Sequence, residues 1–197
     1  MSYQSIAKIG TSLYKEKGSK FLGFAVSCND ESDVKRLVDA WRKEHPGACH
    51  VCFAFKLGYD GQHYRASDDG EPSNSAGQPI LGQITAFGVT QVLVAVVRYY
   101  GGTKLGVGGL IQAYRTAAKL AIEDAEIVEK DILARYNVAC TYEQLPLVMK
   151  EIKIRQIEIL HQKLDLQCTL EVVMKLELCE DWEAFLCFQH IKFERLE

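Results

Sequence analysis

The feature that most constrains the fold is an unbroken apolar run from Val92 to Val97, with the sequence VLVAVV. A strand without polar positions has no face for solvent, so other elements must cover both of its faces. The run predicts a central strand at residues 91–100 in a sheet covered by helices. The loops at its two ends, within residues 65–115, are expected to carry function, because function often lies on loops held by a buried scaffold.

Regular patterns predict the elements around this strand. After a charged, glycine-containing entry, β-rich segments indicate strands at residues 20–28, 50–57 and 62–66. Helical spacing predicts a helix from Asp30 or Ser32 to His45, and another from a glycine loop at residues 101–109 to about Ala125. In the strand at 50–57, alternation puts His50, Cys52 and Ala54 on one face.

A short helix should precede the central strand, starting between residues 73 and 79. Ser75 followed by Gln78 fits a capping box, whereas Pro79 favours a later start, because proline is best tolerated in the first turn. In the helix after the glycine loop, the inward stripe should contain Leu110, Tyr114, Ala117 and Ala121.

The pattern restarts after an acid-rich segment at residues 123–131, which we interpret as a linker between a domain at 1–128 and a domain at 129–197. The second half predicts a strand, a helix, two strands and a helix: 132–141, 143–156, 157–161, 166–178 and 181–190. This βαββα order indicates an antiparallel sheet with helices on one face. The expected fold class is α+β with two domains.

Composition restricts the function classes. The net charge is −3; residues 1–130 hold 15 Lys+Arg against 14 Asp+Glu, and residues 131–197 hold 8 against 12. Proteins that bind nucleic acid through its phosphates carry a basic excess, so we expect no DNA sequence readout and only local RNA contact. No apolar run is long enough to cross a membrane and no secretion signal opens the chain, so we expect a cytoplasmic protein without membrane contact.

The seven cysteines are odd in number and scattered, which is typical of reduced packing residues. Cys49 and Cys52 form one CxxC around His50, but a structural zinc site normally draws on two such pairs. A Cys–His nucleophile stays formally open, although no orienting third group is evident. Neither a G-x-S-x-G nor an H-E-x-x-H motif is present.

Two loops could hold small ligands. Gly101 to Gly109 with Lys104 could form an anion site at a helix start, yet the spacing fits neither a Walker loop nor a dinucleotide fingerprint. The alternative is a turn that lets the helix pack closely on the central strand. The acidic turn at residues 67–72 could bind a divalent metal through Asp68, Asp69 and Glu71 together with His63, but solvated acids that cap the turn and the next helix fit better. We expect no cofactor and no metal.

Five segments together resemble the YigZ/IMPACT family. They are HVCFAF at 50–55, SDDGEPS at 67–73, AGQPIL at 76–81, VVRYYGG at 96–102 and KLGVGGLIQAY at 104–114. The resemblance covers about residues 17–126, and beyond residue 130 it is one of architecture. One departure is Ser75, where the family more often has threonine; serine keeps the hydroxyl.

This resemblance implies a first domain similar to elongation factor G domain IV and a ferredoxin-like second domain similar to its domain V. Eukaryotic relatives regulate translation through a protein contact with the activator of a starvation-responsive kinase. They carry a different additional domain, so the resemblance does not imply that partner here. It implies instead some partner in the translation machinery or a regulatory protein.

We therefore expect a non-enzymatic binding protein linked to translation, acting on protein or ribosomal RNA. The residues expected to form its binding surface are His50, Asp68, Asp69, Glu71, Arg98, Tyr100, Lys104 and Tyr114. The alternative is an enzyme for a phosphate ligand that uses the glycine loop and the acidic turn. A third hypothesis is single-stranded RNA binding on the second domain's sheet, for which Tyr136 is the main available aromatic.

Overall fold

The computed structural model of the protein describes residues 1–196, which form two compact units. The first unit comprises residues 3–130, and the second comprises the chain from residue 131 together with the first two residues. Both units combine helices with antiparallel sheet, so the predicted α+β class is confirmed. No helix among residues 1–196 is long and apolar enough to span a bilayer.

The first unit contains seven strands and three helices. The strands are β1 (Ser2–Ile6), β2 (Gly10–Glu16), β3 (Ser19–Ser27), β4 (His50–Leu57), β5 (His63–Ser67), β6 (Val92–Tyr99) and β7 (Ile127–Asp131). The helices are α1 (Glu31–Glu44), α2 (Gly77–Ala86) and α3 (Gly106–Asp124). Five strands form one sheet in the order β2-β3-β6-β4-β5, and β1 pairs with β7.

The apolar run is the middle strand of the five, as predicted. Val92, Val94 and Val96 pack against α2 and α3, and the residues between them pack against α1. The same alternation holds in β4, where Cys52 and Ala54 face α2 and α3. Both faces of β6 are thus covered up to and including Arg98, which is also buried.

Close packing of α3 depends on glycines in the sheet. A Cβ on Gly10 or Gly23 would lie within 2.0 or 2.6 Å of the carbonyl oxygen of Ala121 or Ala117. The prediction that the glycine loop itself permits this packing is wrong for Gly106 and Gly108, which have no atom within 4 Å of such a Cβ. These two glycines leave space open in front of the helix.

Two segments of the first unit differ from the sequence-based prediction. The entry before β3 contains β1 and β2, and along β2 exposed residues alternate with half-buried ones, as is usual for an edge strand. The predicted linker at 123–131 is the end of α3 followed by β7. The acidic side chains of this segment point away from the core, while the backbone of β7 pairs with β1. A high content of acidic residues was therefore not sufficient to identify a linker.

The second unit has the ferredoxin-like order βαββαβ. Its elements are β8 (Leu133–Cys140), α4 (Leu145–Ile154), β9 (Glu158–Leu164), β10 (Cys168–Lys175), α5 (Cys179–Phe188) and β11 (Lys192–Leu196). The sheet order is β11-β8-β10-β9, and every pair is antiparallel. The final strand was not predicted; it closes the split βαβ pattern beside β8.

Tyr136 is not available for stacking on RNA bases. Its ring is fully buried in the core under α4 and α5, and its hydroxyl donates a hydrogen bond to Glu183. Strand alternation puts Asn137, Glu171 and Glu194 on the opposite, open face of the sheet. That face carries no Phe, Tyr or Trp among the described strand residues.

Replacing Gly101 by alanine should destabilise the first unit. A Cβ there would lie 1.9 Å from the carbonyl carbon of Gly18, so the backbone must move. We expect a loss of about 1–3 kcal/mol in the free energy of unfolding, measured by urea denaturation. Gly108→Ala is the matched control, because its Cβ meets open space, and it should unfold no earlier than wild type. Equal midpoints for Gly101→Ala and wild type would contradict the packing.

Candidate functional site

The acidic turn and the glycine loop meet at one end of the five-stranded sheet, on the face covered by α2 and α3. Between them lies a cleft of about 460 Å³. It is lined by Cys49, His50, Glu71, Pro72, Arg98, Tyr100, Lys104, Leu105, Gly106, Val107 and Leu110. The start of β4, the end of β6 and the start of α3 therefore contribute to a single concave surface.

The floor of the cleft is a buried charge network centred on Glu71. Its Oε1 atom accepts hydrogen bonds from Arg98 Nη1 at 2.5 Å and from Tyr114 Oη at 2.7 Å. His50 Nε2 lies 4.0 Å from the same oxygen. Arg98 is held between rings, with its guanidinium carbon 5.5 Å from the centroid of Phe21 and 5.6 Å from that of Tyr100. A buried ion pair of this kind needs such additional partners, because each charge has lost its water.

The Tyr114 hydroxyl and the Cys52 thiol stay protonated at neutral pH. Burial is the largest cause that raises the pKa of the Tyr114 hydroxyl, and the neighbouring Cys52 and Glu71 raise it further. Burial likewise raises the pKa of the Cys52 thiol, whose Sγ lies 3.4 Å from Tyr114 Oη and 3.0 Å from the Asp68 carbonyl oxygen. The thiolate is the nucleophilic form of cysteine, so this environment opposes the Cys–His nucleophile considered above.

Asp69 fixes the position of His50. The backbone oxygen of Asp69 is 2.7 Å from His50 Nδ1, which must carry the proton because a carbonyl can only accept. The carboxylate of Asp69 accepts from the Val51 amide at 2.7 Å and from Arg42 at 2.6 Å. Asp69 does not line the cleft; it holds the acidic turn against β4.

Asp68 caps α2 from a distance in the sequence. Its Oδ1 accepts from the amides of Ala76 and Gly77 at 3.0 and 2.8 Å, and its Oδ2 accepts from the Asn74 amide at 2.8 Å. The predicted capping box of Ser75 is wrong: the Ser75 hydroxyl is buried without a partner. The start of α2 lies inside the predicted window, at Gly77.

The glycine loop presents backbone N–H groups and one free cation to the cleft. Leu105 is right-handed, with φ −84° and ψ −22°, and Gly106 is left-handed, with φ 71°. Successive residues of opposite hand form a concave nest of N–H groups, here at the N-terminus of α3, which no side chain caps. Lys104 is exposed and forms no ion pair with the described residues.

The rest of the lining is apolar, and this part was missed in the sequence analysis. Leu105, Val107, Leu110 and Pro72 line the cleft without having been among the expected residues, whereas Tyr100 was expected. Val107 and Tyr100 are 53% and 48% exposed. The available signal was the presence of large apolar residues inside a loop that is otherwise glycine and polar.

The structure brings together five of the eight expected residues along the cleft wall: His50, Glu71, Arg98, Tyr100 and Lys104. Tyr114 lies beneath them as a buried hydrogen-bond donor. Asp68 and Asp69 lie behind the cleft. Among residues 1–196 no cluster of three or more His, Cys, Asp or Glu side chains has the arrangement of a metal site, and His63 pairs with Glu31 at 2.8 Å.

Sequence comparison gives the family. The family model of the Impact N-terminal domain matches residues 17–122, which include every cleft residue. The chain belongs to the IMPACT family. Its Escherichia coli relative, named IMPACT family member YigZ, is 39% identical over 131 residues, which are 66% of this chain and 64% of that protein. The match thus spans less than two thirds of that relative's length.

Two further matches cover a larger share of the matched protein than the Escherichia coli relative does. An IMPACT family member of Haemophilus influenzae is 34% identical over 148 residues, covering 74% of this chain and 72% of the relative. A solved structure described as a hypothetical protein is 30% identical with a TM-score of 0.73, covering 100% of this chain and 98% of its own. The IMPACT-family chain therefore shares its fold with that structure in both units.

Asp68→Ala should destabilise the first unit by about 1–2 kcal/mol, because three backbone N–H groups at the start of α2 lose their acceptor. Urea denaturation at pH 7 measures the loss. Asp68→Asn keeps one side-chain oxygen as acceptor and should lose less than the alanine variant. If Asp68→Ala matches wild type within about 0.3 kcal/mol, the carboxylate is not the cap.

Alkylation with iodoacetamide at pH 8 should modify only Cys49 and Cys187 in the folded protein. The other five cysteines are buried, and burial raises the pKa of the Cys28 thiol to about 12. Peptide mass spectrometry should show that Cys52 is alkylated at least about a hundredfold more slowly than Cys49. This difference in rate should disappear when the protein is unfolded in urea. Modification of Cys52 as fast as Cys49 would contradict the buried network around Glu71.

Proposed function

We propose that the protein is a regulatory binding protein linked to translation, and that the cleft of the first unit holds a segment of a protein in the translation machinery. The observation that carries this proposal is the convergence of five expected residues on one open, partly apolar surface within the family-matched region. The family resemblance supplies the link to translation, since its eukaryotic relatives are regulators of that process.

The character of the cleft favours a protein partner over nucleic acid. Exposed aromatic and aliphatic side chains, here Tyr100 and Val107, are typical of protein interfaces, where charged residues surround an apolar centre. Lys104 is the one cation of the lining that lacks a carboxylate partner among the described residues, whereas phosphate-based binding uses several. The near-neutral charge of residues 1–130 agrees with this preference.

A binding role also accounts better for the acidic turn than the phosphate-enzyme alternative does. Asp68 and Asp69 use their carboxylates to hold backbone N–H groups, and Asp69 also binds Arg42. Only Glu71 of the three acids lines the cleft, and it is paired with Arg98. The turn therefore supports the cleft, and few of its carboxylate oxygens are left to bind a metal cation that would in turn bind a phosphate.

Co-sedimentation with purified ribosomes that retain their translation factors tests this function. Wild type should pellet at low and moderate salt, and Lys104→Glu with Tyr100→Ala should reduce recovery at least about tenfold, because both side chains belong to the contact surface. Lys15→Glu is the matched control: Lys15 is exposed in the same unit, outside the cleft, and its variant should pellet like wild type.

Equal recovery of wild type and the double variant in the supernatant would contradict the proposal. A steep loss of binding between low and moderate salt would assign the contact to RNA phosphates and would also contradict it. Lys104 and Lys15 are exposed and Tyr100 is half-exposed, and an unchanged urea midpoint for each variant shows that a loss of recovery does not come from a fold defect.

A further inference from the structure

We infer that the ligand of this cleft is a carboxylate group carried on an apolar body, such as the apolar end of a peptide chain or a free apolar carboxylic acid. The inference rests on the proposed function in taking the cleft as the binding surface, and it adds the chemistry of what is bound. Four features carry it: an N–H nest, an unpaired lysine, a buried arginine with an unused donor, and an apolar wall.

The anion-binding half of the cleft is built around Gly106. The nest formed by Leu105 and Gly106 lies at the N-terminus of α3, a helix of 19 residues that no side chain caps. Such a terminus favours negative charge through its dipole and its free donors. Because a Cβ at Gly106 would meet no atom within 4 Å, an oxygen atom can approach the backbone there.

Arg98 supplies an independent indication of a ligand. Its side chain is 8% exposed and lines the cleft, and its buried Nε–H has no hydrogen-bond partner among the described residues. Buried donors without an acceptor are uncommon, because the lost hydrogen bond to water is not replaced. An acceptor oxygen bound beside Glu71 and Tyr100 would complete the guanidinium's hydrogen bonding.

The net charge of the lining distinguishes a carboxylate from a phosphate. The charge of Arg98 is neutralised by Glu71 at 2.5 Å, which leaves Lys104 as the cation without a partner among the described lining residues. One such cation and the helix terminus match a monoanion. A phosphate group, which carries a charge of about −1.5 to −2 at neutral pH, would remain under-neutralised next to the Glu71 carboxylate.

The apolar half of the cleft selects what carries the carboxylate. Leu105, Val107 and Leu110 lie beside the nest, so an apolar group attached to the bound carboxylate would rest on them. Tyr100 adds a half-exposed ring to the lining. Recognition of a chain end by an N–H nest with an adjoining apolar pocket is an established mode of peptide binding.

Titration of the ¹⁵N-labelled full chain followed by NMR tests the inference. Two probes carry a carboxylate: 3-phenylpropionate and the peptide Gly-Ser-Gly-Ser-Phe with a free C-terminus. Each is compared with its own neutral amide form, and phenyl phosphate is the third probe. Both carboxylates should shift the backbone amide signals of residues 105–107. The neutral amide form of each probe should bind with an affinity at least about tenfold lower. Tighter binding of the peptide than of 3-phenylpropionate assigns the ligand to a chain end, and the reverse assigns it to a free acid.

Two exposed positions test the two halves of the cleft without a cost to folding. Lys104→Met should lower the affinity for the carboxylate probes by about threefold to tenfold and leave the affinity for their neutral amides unchanged, because only the charged probes lose an attraction. Val107→Ser should weaken carboxylates and amides by the same factor, because it removes apolar contact alone. Lys15→Met is the matched control and should match wild type.

Several results would overturn the inference. They are equal affinity for carboxylate and amide, tighter binding of phenyl phosphate than of 3-phenylpropionate, signal shifts away from residues 105–107, and no binding of either carboxylate. These outcomes are separate from those of ribosome co-sedimentation. Carboxylate binding without co-sedimentation refutes the translation-linked function alone, whereas cleft-dependent co-sedimentation without carboxylate binding refutes the ligand class alone.

Discussion

The burial of Arg98 at the end of the central strand is the constraint on which the site depends. The strand is covered on both faces, so its last buried position carries a charge with little access to bulk water. Removing one partner from such a pair typically costs about 3–5 kcal/mol. Glu71 must therefore be brought to Arg98, and Tyr114 of α3 must donate to the same oxygen. One ion pair thus joins the acidic turn, β6 and α3.

The acidic turn is held in place by its other two acids. Asp68 caps α2 and Asp69 accepts a hydrogen bond from the Val51 amide of β4, so the turn is anchored to both elements. These two residues position Glu71 and His50 without touching the cleft. Supporting residues of this kind hold a binding surface within the small tolerance that recognition requires. The charges of the turn are therefore used mostly inside the protein.

The glycine loop differs from the acidic turn, because most of its groups are exposed to solvent rather than bonded inside the protein. Gly101 is required for close packing on the β2–β3 turn, but Gly106 and Gly108 have empty space in front of them. Their lack of side chains leaves backbone donors exposed beside Lys104 and an apolar wall. A rigid buried turn and an open donor-rich loop together make one concave surface. That combination is typical of a site prepared for a ligand before it arrives.

The sequence by itself determined the central strand, both faces of β4, the inward stripe of α3 and the family, because burial periodicity and local motifs are encoded within short segments. It did not determine that Asp68 caps α2, that β1 pairs with β7, or that Tyr136 is buried. Each of these depends on partners far away in the chain. Only the tertiary structure decided that the acidic turn and the glycine loop meet, since β4, β6 and α3 bring their ends together.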